Sequence, residues 1–158
     1  MKPHEQGDFG ELSAMHWLAK VGAKIWLPVG HSPDCDVIAD LDGQLLRVQV
    51  KTSTCRRKGR WEVTLCTRGG NQSWNGISKR LDPSRCDYLF VLVGDGRRWF
   101  IPSYALGGRS HIVLGGPKYS EFEVAPGDPI PARAPLGPGS RIEQPLRGDA
   151  RAVKGSAL

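Results

Sequence analysis

The sequence predicts an α/β or α+β sandwich, a mixed sheet with a helix packed against it. Three observations carry that expectation. Residues 8–22 repeat apolar side chains at helical spacing. Residues 34–53 and 86–103 each hold two strand-like runs around an Asp-Gly pair. The chain order is helix, strand, hairpin, strand, loop, hairpin, which leaves the helix to cover a sheet face.

In "DFGELSAMHWLAKVG", Ala14, Met15, Leu18 and Val21 fall on one helical face, with Ser13, His16 and Lys20 opposite and Gly22 as the stop. "AKIWLPVG" predicts a short strand ending at Pro28. "DCDVIADLDGQLLRVQVKTS" predicts a hairpin closed by Asp42-Gly43 in a two-residue type I′ turn. "RWEVTLCT" is a further strand, and "RGGNQSWNGISKRLDPS" a polar loop with room for one helical turn. "CDYLFVLVGDGRRWFIPS" predicts the second hairpin, turning near Asp95-Gly96, and "HIVL" and "EFEV" are strand candidates. From Ala125 the chain becomes rich in Pro and Gly and lacks aromatics. Residues 1–124 are therefore expected to form the domain, and 125–158 an extended or disordered basic tail.

The 158 residues suffice for one domain with a real core. No run is long and apolar enough to span a membrane, and "MKPHEQGDFGE" lacks the apolar centre of a signal peptide, so a cytoplasmic protein is expected. The net charge of +6 favours polyanionic partners, and "KTSTCRRKGR" concentrates five basic residues in ten positions. Cys35, Cys55, Cys66 and Cys86 lie far apart with no CxxC or HxxC pair. That argues against a zinc site built from local knuckles and for free thiols.

The Asp42-Gly43 turn sets a register. Leu41 pairs with Gln44, and stepping back along both strands sets Asp36 opposite Gln49. Asp36, Gln49 and Lys51 then share one face, while Val37, Ala39, Leu41, Leu46, Val48 and Val50 form an apolar face. Asp34 falls opposite Lys51 if the strand reaches that far. On the helix, Glu11 precedes Met15 by one turn and Leu18 by two, inside the apolar stripe. A carboxylate facing a core needs a cation or strong donors. Lys51 meets that need in a purely structural ion pair; a divalent metal meets it in a functional site.

"GE" in the helix, then "PDCDVIAD" and "VQVKTS", resemble the PD-(D/E)xK nuclease superfamily, in the variant where Gln replaces the acidic residue, as in group I intron homing endonucleases. "CDYLFVLVGDGRRWFIPS" resembles the strands that follow in that branch, and the resemblance spans Gly7 to Ser103. It implies a restriction-endonuclease-like mixed sheet flanked by helices and an Mg²⁺-dependent endonuclease acting on double-stranded DNA, with Mn²⁺ as an alternative ion. It implies catalytic residues Glu11, Asp36, Gln49 and Lys51, with Glu11, Asp36, Gln49 and the Val50 carbonyl holding the metal. Asp34 competes with Asp36 as the main carboxylate ligand.

Beside such a site, Arg56, Arg57, Lys58, Arg60, Asn75, Lys79 and Arg80 are the DNA-binding candidates. Cutting both strands with one such site per chain implies a homodimer or higher oligomer. Two other readings remain open: a Holliday-junction resolvase or repair nuclease with the same core, and a non-catalytic nucleic-acid-binding protein on the same scaffold.

Overall fold

The computed structural model describes residues 1–30, 34–68 and 78–132. Helix α1 (Pro3–Lys20) is followed by β1 (Lys24–Trp26), β2 (Val37–Leu41), β3 (Gln44–Ser53), β4 (Arg56–Arg57), β5 (Arg60–Thr64), β6 (Thr67–Arg68) and β7 (Ser78–Lys79). The chain continues with β8 (Tyr88–Val93), β9 (Arg98–Pro102), β10 (His111–Leu114) and β11 (Glu123–Val124). The helix starts five residues earlier than its apolar repeat suggests. Pro3 takes the first turn, where a missing N–H costs nothing, and the Glu5 carboxylate accepts the Lys2 N–H at 2.7 Å.

Six strands form the main sheet in the order β1-β2-β3-β8-β9-β11, with β3 and β8 parallel and the other neighbours antiparallel. The β2–β3 register is the expected one, Leu41 opposite Gln44 and Val37 opposite Val48. Asp42 (φ 51°) and Gly43 (φ 86°) both adopt the left-handed conformation that a type I′ turn requires. Lys58 (φ 49°) and Gly59 (φ 77°) repeat it between β4 and β5, a small hairpin inside the basic run that the charges conceal in the sequence.

One face of the main sheet packs on α1. Ala14 and Leu18 meet Val37, Ala39, Leu46, Val48, Val50, Phe90 and Leu92 there. The buried stripe of α1 is centred on Gly10, Ala14 and Leu18, and it draws in Ser13, which the helical repeat puts on the polar side. Val21 is exposed because the helix ends at Lys20. The opposite face is covered, among the described residues, by the three-stranded sheet β10-β5-β4 where a second helix is expected. Trp61, Val63, Leu65, Ile112 and Leu114 form a second core there with Leu89, Val91, Trp99 and Ile101. The parallel β3–β8 connection runs through that small sheet, so the crossover itself buries the second face. This sandwich of helix, mixed sheet and small sheet is a restriction-endonuclease-like α/β architecture.

The "EFEV" stretch gives only the two-residue β11, after a 3₁₀ turn at Ser120–Phe122. Residues 125–132, expected to belong to the tail, lie against the domain: Gly127 N–H donates to Gly96 O at 2.9 Å, and Ile130 is 5% exposed within the helix-side core. One apolar side chain in a Pro/Gly-rich stretch suffices to anchor it. No helix among the described residues is long and apolar enough to cross a membrane.

Candidate active site

Strand β2 begins at Val37, whereas β3 continues to Ser53, so the β2-facing edge of β3 loses its strand partner after Val48. Asp36 fills the vacancy. Its N–H donates to Val48 O at 2.9 Å, and its Oδ2 accepts the Val50 N–H at 2.7 Å. Gln49 Nε2 donates to the same oxygen at 2.5 Å. The expected Asp36–Gln49 neighbourhood is therefore present, with both bonds on Oδ2. Backbone alternation turns the Val50 carbonyl to the same edge as its N–H.

Gln49 and Lys51 share the face that carries Leu89 and Val91 across the parallel ladder. Gln49 is buried and Lys51 half-buried. Burial pulls the Lys51 ammonium below its ordinary range, while the neighbouring charges of Asp36 and Cys66 pull it back up. Burial likewise raises the Asp36 carboxyl, against the opposing pull of the Val50 N–H, the Lys51 charge and the Gln49 amide. The opposite charges of Asp36 and Lys51 thus offset part of the burial that disfavours both. The proximity of Cys66 to this lysine has no signature in the sequence.

Glu11 comes from the other side of the sheet. Gly10 lets α1 approach β3 closely: a Cβ there would lie 2.1 Å from Thr52 Cγ2. Gln6 Nε2, one turn earlier, reaches Thr52 Oγ1 at 3.4 Å. The next residue, Glu11, is brought beside Asp36. Burial raises its carboxyl, and the charges of Asp36 and Asp8 raise it further. Among the described residues no ion pair joins Glu11 to Lys51, so the structural salt bridge that would account for Glu11 is not formed. Instead the charge of Asp36 adds to burial in favouring the protonated form of Glu11.

Asp34 does not take the place opposite Lys51, because β2 stops short of it. Its Oδ2 pairs with Arg85 Nη1 at 3.2 Å. Arg47, on the face of Gln49 and Lys51, turns away from the site. Its guanidinium grips Asp87 at 2.9 and 3.0 Å and donates to Ser84 O at 2.8 Å, pinning the start of β8 to β3 and holding the Asp87 carboxyl below its ordinary range.

The expected ligands Glu11, Asp36, Gln49 and the Val50 carbonyl offer oxygen donors, two of them carboxylates, the chemistry that a hard divalent cation takes. Among the described residues no three His, Cys, Asp or Glu side chains converge, as follows from glutamine occupying the third position.

The basic run lies apart from this cluster. Arg57, Lys58 and Arg60 line a cleft of about 500 Å³ with Glu62, His111 and Val113 on the outer face of the small sheet. They sit at the β4–β5 turn and the start of β5, and none of the candidate ligands lines the cleft. Arg57 also meets Glu62 at 3.9 Å, and the Arg56 guanidinium lies 4.8 Å from the Trp61 ring centre. Lys79 lies on β7, paired with Thr67, and Arg80 is exposed just after it; Asn75 lies outside the described residues.

A family model for PD-(D/E)XK endonucleases matches residues 1–115. The fold is similar to a bacterial homing endonuclease, I-Ssp6803I, with a TM-score of 0.67 and 21% identity, covering 78% of this chain and 89% of that one. No curated protein matches the chain.

Proposed function

Starting from a chain that belongs to the PD-(D/E)XK endonuclease family, we propose that it hydrolyses phosphodiester bonds in double-stranded DNA with Mg²⁺, or Mn²⁺, as its ion, in the manner of a homing endonuclease. The observation that carries this reading is the pairing of Asp36 with Gln49, Val50 and Lys51, joined by Glu11 from the helix.

Asp36, Glu11, the Gln49 amide oxygen and the Val50 carbonyl would hold the ion. When bound, it lowers the pKa of water and polarises the phosphate. Asp36 keeps Oδ1 clear of its two donors on Oδ2, so the carboxylate is fixed in orientation with one oxygen to offer. The Lys51 charge acts on Asp36. Burial weakens its hold on the proton, which suits a group that orients the attacking water and exchanges a proton at Nζ. Arg56, Arg57, Lys58, Arg60, Lys79 and Arg80 would carry the flanking duplex through its phosphates. Cleavage of both strands calls for two copies of the chain, and the free cysteines accord with work in the cytoplasm.

The neutral Gln49 favours one second reading, a DNA-binding protein that has kept the scaffold and lost the chemistry. Supercoiled plasmid incubated with Mg²⁺, Mn²⁺ or EDTA separates the two, with Asp36→Ala and Lys51→Ala alongside. Metal-dependent nicking or linearisation, absent in both variants, is the expected result. Metal-independent DNA binding retained in both variants, without cleavage of plasmid or of a four-way junction, favours the second reading, and cleavage of the junction alone points to a resolvase.

A further inference from the structure

The turn before β8 carries a cation outside the basic run. Asp82 Oδ1 accepts the N–H and the hydroxyl of Ser84 at 2.9 and 2.7 Å, and Asp82 O accepts the N–H groups of Arg85 and Cys86 at 3.0 Å each. Arg47 clamps the same turn through Ser84 O. Arg85 thus rises from a rigid base. Its guanidinium meets Asp34 Oδ2 at 3.2 Å, yet its side chain is 56% exposed while that of Asp34 is 17% exposed.

Asp34 is two residues from Asp36, so their Cα atoms are at most about 7 Å apart. Through its contact with Asp34, the Arg85 guanidinium lies within about 15 Å of the Asp36 backbone, a span of a few phosphates along a strand. The nearby charge is largely acidic: the charges of Asp36 and Asp8 act on Glu11, Asp34 lies two residues from Asp36, and the Lys51 charge acts on Asp36. A polyanion approaching Asp36 meets that negative field. A guanidinium has five donors, and one carboxylate oxygen engages only part of them. Held by Asp34, the remaining donors are already oriented and lose little freedom on binding.

We infer that Arg85, oriented by Asp34, binds a backbone phosphate of the nucleic acid near the bond to be cut. The inference rests on the nuclease reading and adds a binding residue to it. The competing role is a brace in which Arg85 only ties Asp34 to the turn.

The test measures the affinity of the full-length protein for a fluorescent duplex oligonucleotide in EDTA, between about 50 and 200 mM NaCl. Arg85→Ala and Arg85→Lys are compared with wild type, and the melting temperature of each is recorded. A phosphate contact predicts that Arg85→Ala flattens the plot of log affinity against log salt by about 0.9, and that Arg85→Lys keeps the wild-type slope. A brace predicts a lower melting temperature in both variants with the slope unchanged, and that result overturns the inference. If wild type cleaves plasmid while Arg85→Ala keeps its slope, this inference alone fails. If wild type neither cleaves nor binds, the nuclease reading fails and takes this inference with it.

Discussion

Gly10 on the helix and Thr52 on β3 approach so closely that a methyl group at Gly10 would lie 2.1 Å from Thr52 Cγ2. The next residue on the helix is Glu11, whose carboxyl feels the charge of Asp36. Gly10→Ala should force the helix outward, at a cost of about 1–3 kcal/mol, and weaken activity by withdrawing Glu11. Thr52→Ser removes the obstructing Cγ2. The double variant Gly10→Ala/Thr52→Ser should recover most of the stability, and urea denaturation of the four proteins measures that coupling. Additive losses would show that the contact does not govern the helix position.

The repulsion between Glu11 and Asp36 predicts a gain from removing a site residue. The Glu11 carboxyl titrates above its ordinary 4.5 because of burial first, then Asp36, then Asp8. The native state therefore binds more protons than the unfolded chain just above pH 4.5, and stability falls as pH rises through that window. Glu11→Gln should be more stable than wild type at pH 7 without metal, by less than about 1 kcal/mol since solvent screens a half-buried group. The advantage should vanish near pH 4. A melting-temperature series against pH reads both limbs, and a variant less stable at neutral pH would contradict the repulsion.

If these carboxylates hold an ion, that ion stabilises the fold. Mn²⁺ or Mg²⁺ at about 100 times its dissociation constant should add about 2.7 kcal/mol to wild type. Glu11→Gln should respond less, and Asp36→Ala not at all. Thermal melts in EDTA and in each metal measure this without any DNA. An unchanged wild-type melt would favour the non-catalytic scaffold.

Ile130 makes the chain end testable. A chain of residues 1–132 should match the stability of the full chain, whereas one of residues 1–124 should lose about 2–5 kcal/mol. The shorter chain exposes the helix-side core where Ile130 is 5% accessible and uncovers the buried Arg98 beside Gly127. Urea midpoints of the three chains decide it. Equal midpoints would make 124 the true boundary of the domain.

Much of the site is legible in the chain because local rules specify it. A two-residue Asp-Gly turn and the period of two in "VIADLDGQLLRVQVK" leave one register that buries the valines, and that register alone puts Asp36 beside Gln49. The family's Gln-for-acid motif follows the same spacing. The apolar repeat finds the helix and flags Glu11 as misplaced in its stripe. The same repeat misassigns Ser13, because α1 meets the sheet along Gly10 and a glycine is silent in an apolar pattern, and it misassigns Val21, which lies past the helix end at Lys20.

By itself, then, the sequence determined the strand register, the carboxylate-amide-lysine neighbourhood on β3 and the family of the chain. Each depends on residues within one hairpin or on spacing along it. The tertiary structure alone decided which cation serves which carboxylate: Lys51 with Asp36, Arg85 with Asp34, Arg47 with Asp87. It also decided that Glu11 meets an anion, that strands cover the second face, and that the basic cleft stands away from the candidate catalytic cluster. Most of these are meetings of groups remote in sequence. No local spacing encodes them, because they follow from where two packed cores bring the ends of β3, β5, β8 and α1 together.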